Sequence, residues 1–226
     1  ALLMQNKIAE AIVPLEKAAR RSEDPAIETL LANALASAGR TGESIEQLRL
    51  ATTRRPPYPQ AFAELGGQLS KLGRIEESIA VFEGGLALTP GATVLLMGLG
   101  YLHLKTNDRA RARSLFLQVQ AVEPNRLDVL SALAGVMALD GEYAAAADLY
   151  RRVLGQRPAD ALMRYYLGKC LLELGDRDGG EAALRASASD GLQATGAAIA
   201  ALSAAPHGRF FLRPSAVANF LRVKQN

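Results

Sequence analysis

Residues 59–90 read PQAFAELGGQLSKLGRIEESIAVFEGGLALTP, and this stretch decides the fold. Phe62, Leu65, Gly66 and Leu69 recur at helical spacing and share one face. Gly73 ends that helix, because glycine enters a left-handed terminal conformation at no steric cost. Ile75, Ile79, Phe82 and Leu86 form the apolar face of a second helix. Thr89-Pro90 stops it, since proline has no N–H to donate and disfavours helix in the residue before it. The spacing predicts two short amphipathic helices joined by a tight turn.

The unit recurs at a period of 34 residues. Steps of 34 from Leu65 reach Leu31, Leu99, Leu133 and Leu167, and from Gly66 reach Ala32, Gly100, Ala134 and Gly168. Pro90 has counterparts in Pro56, Pro124 and Pro158, and Phe82 in Leu48, Phe116, Tyr150 and Leu184. Gly73 maps onto Gly39, Asn107, Gly141 and Gly175, asparagine being the next most tolerant of a left-handed turn. Five residue classes kept in phase resemble the tetratricopeptide-repeat family, whose unit is a helix–turn–helix of this length. The resemblance spans Pro25 to about Leu192. It implies an all-α fold, a right-handed superhelical solenoid of five units at 25–58, 59–92, 93–126, 127–160 and 161–194.

The ends depart from the pattern. Asn6-Lys7-Ile8 aligns with Gly73-Arg74-Ile75, so residues 1–24 read as a partial repeat, with more protein expected upstream. Pro14 falls inside its second helix, where it is expected to kink the helix or cost a hydrogen bond. The frame slips by one residue near Asp24-Pro25. In the fifth unit Gly180 and Ser187 replace the usual packing residues and Leu192 replaces the proline, as expected at the edge of a stack. One more first helix is expected over 193–204, broken by Pro206-His207-Gly208. The tail, RFFLRPSAVANFLRVKQN, crowds Phe210, Phe211, Leu212, Val217, Phe220, Leu221 and Val223 together. A helix from Pro214 to about Val223 is expected to fold back on residues 161–204 as a cap, with Arg213 and Arg222 at its rim. The alternative destinations are the chain's own groove and a second copy, the latter giving a homodimer.

Composition narrows the chemistry. A net charge of +3 on 226 residues is too weak to imply a nucleic-acid partner. No apolar run approaches the ~18 uncharged residues of a membrane-spanning helix. Cys170 is the only cysteine, which excludes an internal disulfide framework, and its place beside Leu167-Gly168 suggests a buried thiol. His103 and His207 are the only histidines, and no His, Cys, Asp or Glu cluster has metal-ligand spacing. His103 falls where Leu69 and Leu171 stand in sister repeats, so it reads as a packing residue rather than a general base. Gly98-Leu99-Gly100 lacks the preceding strand and third glycine of a dinucleotide fingerprint. Ser131, Ser187 and Ser189 have no nucleophile elbow around them. The expectation is therefore no enzyme, catalytic residue, metal or cofactor. Arg20-Arg21, Arg54-Arg55 and Arg151-Arg152 fall late in second helices, where cations complement the helix dipole. Arg109, Arg111 and Arg113 stand at the opposite end of such a helix, as a solvated face or an anionic contact.

In the family resembled here, first helices line a concave surface on which ligand peptides lie. By repeat position that surface holds Thr29, Asn33, Gln60, Ala63, Gly67, Met97, Tyr101, Ser131, Gly135, Tyr165 and Lys169. Asn33, Gln60, Met97, Tyr101, Tyr165 and Lys169 are the candidate ligand-binding residues, because large apolar groups left in water mark partner sites. The resemblance also offers a carboxylate clamp. Asn33 matches one of its positions, but Gly67 stands at the partner position and the accompanying basic residues are missing. The expected function is a scaffold binding a peptide or helical segment of another protein. The alternative is a regulatory or targeting domain of a larger enzyme, such as a repeat-bearing glycosyltransferase or sulfotransferase.

Overall fold

A computed structural model describes residues 8–188, 192–204 and 220, and among these there are helices and no strand. The helices fall into two compact units, Ala1–Val122 and Glu123–Asn226. The first holds α1 (Ile8–Ser22), α2 (Pro25–Ser37), α3 (Thr41–Thr53), α4 (Pro59–Lys71), α5 (Ile75–Leu88), α6 (Thr93–Lys105) and α7 (Arg109–Val122). The second holds α8 (Leu127–Leu139), α9 (Tyr143–Gln156), α10 (Ala161–Glu173), α11 (Arg177–Ala188) and α12 (Leu192–Ala204). From α2 to α11, first helices and second helices each begin 34 residues after their predecessor.

One turn repeats within every pair. Gly73 has φ +77°, its N–H donates to the Ser70 carbonyl at 3.2 Å, and the Arg74 N–H donates to the Leu69 carbonyl at 2.9 Å. These two bonds satisfy carbonyls that the helix end leaves open. The same pair forms at Gly39-Arg40, Asn107-Asp108, Gly141-Glu142 and Gly175-Asp176, each with a left-handed first residue. Behind the turn an N-terminal device starts the next helix. Arg74 grips Glu77 through Nε–Oε1 and Nη2–Oε2, both 2.6 Å, while Asp108 and Asp176 accept the N–H groups of Arg111 and Gly179.

Within a pair, the small first-helix class and the large second-helix class prove to be one contact. A Cβ on Gly66 would lie 2.5 Å from the Phe82 ring, one on Gly100 2.5 Å from Phe116, and one on Gly168 2.8 Å from Leu184. Each large side chain fills the space left by the missing methyl. A second seal lies one turn earlier, where the Ser44 and Ser78 hydroxyls donate to the Ala32 and Gly66 carbonyls at 2.6 and 2.7 Å. Ala112, Ala146 and Gly180 keep the equivalent position small in the later pairs.

Successive pairs then share cores. Leu99 joins Phe62 and Phe82 of the preceding pair in one buried cluster with Leu95 and Leu102. In the second unit, Leu130, Ala134, Ala146, Ala147, Tyr150 and Cys170 cluster, and Leu172, Leu184, Ala198 and Leu202 form the next core. Leu31, Leu65 and Leu133 are buried, whereas Leu167 is only half-buried.

Pro14 does not break α1, which runs unbroken for 15 residues. It lies on the exposed side, while Ile12 and Ala19 hold the helix against Leu31, Ala34 and Leu35. The slip in register falls where Glu23 turns left-handed at φ +48° and Asp24 accepts the Ala26 N–H at 2.9 Å to start α2. The tail helix, its capping role and the homodimer lie outside the described residues, apart from Phe220. That ring packs on the core of Leu172, Leu184, Ala188, Ala198, Ala201 and Leu202, with the Arg185 guanidinium 4.6 Å from its centroid.

Candidate functional site

In the first unit, α4 and α6 lie side by side and leave a slot of about 340 Å³ between them. Phe82 and Leu102 floor it, Ala63, Gly67 and Gly98 form its small-residue walls, and Tyr101, Lys71 and Lys105 stand at its rim. Local packing opens it. The Phe82 ring is wedged between Gly66 and Gly98, whose Cβ would approach it to 2.3 Å, so α6 cannot carry a side chain there. Gly67 is different, because a Cβ at that position would meet nothing within 4 Å. Glycine there weakens a helix interior by about 1 kcal/mol relative to alanine. It fills no packing role and takes no left-handed angle, and what it leaves is room.

Tyr101 is 48% exposed and sets its ring edge-on to Phe116 at 5.3 Å, which fixes it in place. Lys105 Nζ donates to the Ser70 carbonyl at 2.8 Å, tying the end of α6 to α4. Lys71 stands exposed one turn after Gly67. No acidic side chain lines the slot among the described residues.

The second unit has a counterpart between α10 and α12, about 330 Å³, lined by Tyr165, Lys169, Glu173, Ala200, Ala201 and Ala204. Lys169 Nζ lies 5.8 Å from the Tyr165 ring centroid, and Tyr165 meets Tyr166 edge-on at 5.3 Å. Tyr166 in turn stacks on the buried Tyr150.

Of the six candidates from sequence, Tyr101 lines the first pocket, and Tyr165 and Lys169 line the second. Asn33 and Gln60 are half-buried and line neither, and Gln60 Nε2 donates to Glu64 Oε1 at 2.8 Å. Met97 leaves the set, since it is only 5% exposed. The reason is α6 itself, TVLLMGLGYLHLK, which is apolar almost all round and enclosed by α4, α5 and α7. Thr29 is buried as well, with its hydroxyl donating to the Pro25 carbonyl. Lys71, Lys105, Ser70 and Gly98 are additions. A step of 34 joins Lys71 to Lys105, so the repeat register carried the signal.

Groups with chemical potential lie elsewhere and are occupied by packing. His103 is buried, with Nδ1 3.8 Å from Asp108 Oδ2. Cys170 is buried, and that burial pushes its thiol up to about 11, so it stays protonated near neutral pH. Among the described residues no group of His, Cys, Asp and Glu could hold a metal ion, and no helix is long and apolar enough to cross a membrane.

Arg20 and Arg21 fall in the last turn of α1, and several other arginines take particular partners. Arg54 lies just past the end of α3 and binds Glu28, a buried carboxylate, through Nη2–Oε1 at 2.7 Å and Nε–Oε1 at 3.1 Å. Its Nη1 reaches Glu23 at 3.1 Å. Arg151 pairs with Asp148 and Arg152 with the turn at Pro124-Asn125. Arg111 pairs with Asp108 at its own helix start.

Comparison with known proteins agrees with this architecture. Two family models, each described as tetratricopeptide repeat, match residues 97–161 and 137–205. No curated protein matches the sequence. Among solved structures, PilF of Pseudomonas aeruginosa aligns with a TM-score of 0.70 at 20% identity, covering 81% of this chain and 84% of its own. YrrB, described as a TPR protein with an unusual peptide-binding site, gives 0.64 at 18% identity, covering 81% and 96%. The APC/C hetero-tetramer Cut9–Hcn1 gives 0.72 at 20% identity, covering 89% of this chain and 40% of the matched one. At these identities the likeness is one of fold. With a 34-residue helix register, a left-handed turn in every pair and two matching family models, the chain belongs to the tetratricopeptide-repeat proteins.

Proposed function

We propose that this chain is a protein-interaction scaffold and that a segment of a partner lies on the face made by its first helices, with the α4/α6 slot as the principal contact. The supporting observation is the slot itself. An exposed tyrosine, held edge-on by Phe116, overlooks a space kept open by Gly67 and Gly98. Aromatic side chains braced in this way anchor partners at low entropic cost. The second pocket, with Tyr165 and Lys169, offers a further contact on the first-helix face of its own unit. The mechanism is presentation of a surface, and no step of bond chemistry is assigned. YrrB, a fold relative, is described as having a peptide-binding site, which accords with this reading.

The test is affinity capture of partners by the intact chain and by Tyr101→Ala. Partners recovered by the parent chain should be depleted with Tyr101→Ala while the melting curve barely moves. Undiminished capture would remove the first-helix face of the first unit from the mechanism.

A further inference from the structure

We infer that the α4/α6 slot selects a partner segment in which an apolar side chain is flanked by carboxylates. This rests on the first-helix face being the binding face. The argument is charge complementarity. Lys71 and Lys105 occupy the same repeat position on neighbouring first helices and stand exposed at one rim of the slot. Neither faces an acid lining the slot among the described residues. Glu64, two turns before Lys71, instead holds Gln60. The Lys105 ammonium is anchored on the Ser70 carbonyl, which fixes a positive charge without neutralising it. The floor is apolar, made of Phe82 and Leu102. An occupant that satisfies both parts places a hydrocarbon or aromatic group in the slot and an acid at the rim.

The contrast within the molecule sharpens the assignment. In the α10/α12 pocket Lys169 stands one turn from Glu173, so that pocket supplies its own counter-charge. The α1/α2/α3 cavity, about 420 Å³, is walled by Glu16, Glu23, Glu28, Glu43 and Glu46, with Arg54 already engaged by Glu23 and Glu28. Only the α4/α6 slot, among these three, is both apolar inside and positive at its edge. The chain's own tail does not suit it. Residues 209–226 carry Arg209, Arg213, Arg222 and Lys224 and no acid, so tail and rim repel.

The experiment uses the full chain and two labelled synthetic peptides sharing a central phenylalanine, one flanked by glutamates and the other by lysines, read by fluorescence anisotropy. The glutamate peptide should bind, and its affinity should fall as salt screens the rim. The lysine peptide should not bind. Lys71→Glu should weaken the glutamate peptide by about fivefold, since it removes one exposed ion pair, worth up to about that factor, and sets a like charge in its place. Gly67→Leu should abolish binding by filling the slot, and Gly67→Ala, whose Cβ meets nothing within 4 Å, should keep the fold and serve as its control. Equal binding of both peptides, preference for the lysine peptide, or no binding of either would overturn the charge rule. So would tight binding of a synthetic 209–226 peptide that Gly67→Leu abolishes. The broader reading fails separately. If Gly67→Leu also leaves partner capture intact, the slot is not the binding face at all.

Discussion

Two adjacent glycines in α4 should respond to the same substitution with opposite signs. Gly66 and Gly67 share a helix, and alanine at either gains about 1 kcal/mol of helix propensity over glycine. At Gly67 nothing opposes that gain, since the new methyl meets no atom within 4 Å. At Gly66 the methyl would sit 2.5 Å from Phe82 Cε2 and 2.8 Å from Cδ2 and Cζ. The ring cannot swing away, because its far edge is already within 2.3 Å of the Cβ position at Gly98. Overpacking of this kind costs about 1–3 kcal/mol. Gly67→Ala should therefore be stabilising by up to about 1 kcal/mol, and Gly66→Ala neutral to destabilising by up to about 2 kcal/mol. The assay is urea unfolding followed by far-UV circular dichroism, with the two variants compared to each other so that the propensity gain cancels. Repeat proteins unfold unit by unit, so the transition containing α4 is the one to read. Equal midpoints for the two variants would refute the small-against-large contact that organises every helix pair.

Other outcomes follow from named contacts. Leu99→Ala should cost about 2–5 kcal/mol, the range for a leucine lost from a core, and a loss under about 1 kcal/mol in a denaturant melt would contradict its burial among Phe62 and Phe82. Arg54→Ala should lower the melting temperature by leaving the buried Glu28 carboxylate without its guanidinium, whereas replacing both residues by leucine should recover most of the loss, and an unchanged melting curve for Arg54→Ala would contradict the pair's role. A thiol reagent should label native Cys170 slowly at neutral pH and faster as pH rises toward about 11, since burial holds it in the unreactive form, and immediate labelling of the folded chain would contradict that placement.

The parts of this fold legible in sequence were those carried by short-range chemistry in a fixed register. Gly73 and its sister positions announced their turns because a left-handed residue has few substitutes. The leucine and small-residue classes announced which faces meet, and the pairing of Gly66 with Phe82 explains why both classes stay in phase. Met97 misled because a repeat position says which face a residue starts on and nothing about how completely neighbours enclose it. Arg54 stands at the end of α3 as read, but its partner Glu28 lies 26 residues earlier, beyond the reach of any local rule about helix ends. Lys71 and Lys105 are ordinary exposed lysines taken singly, and line one space only because α4 and α6 stand side by side. Gly98 seats the Phe82 ring, a use that shows only when the neighbouring helix pair is in place. Of the tail, Phe220 alone shows its seat, on the terminal core of the second unit.

The central claim is that the first-helix slot between α4 and α6 contacts the partner. Photo-crosslinking from within the slot tests it most directly. A photoreactive phenylalanine analogue replaces Tyr101, which keeps an aromatic ring at the slot, or, in a control chain, Gly84 on the exposed side of α5, where a Cβ meets nothing within 4 Å. The account predicts a covalent partner adduct from position 101, lost on competition with the glutamate-flanked peptide, and none from position 84. Adducts of the same partner from position 84 alone, or equally from both, would contradict it.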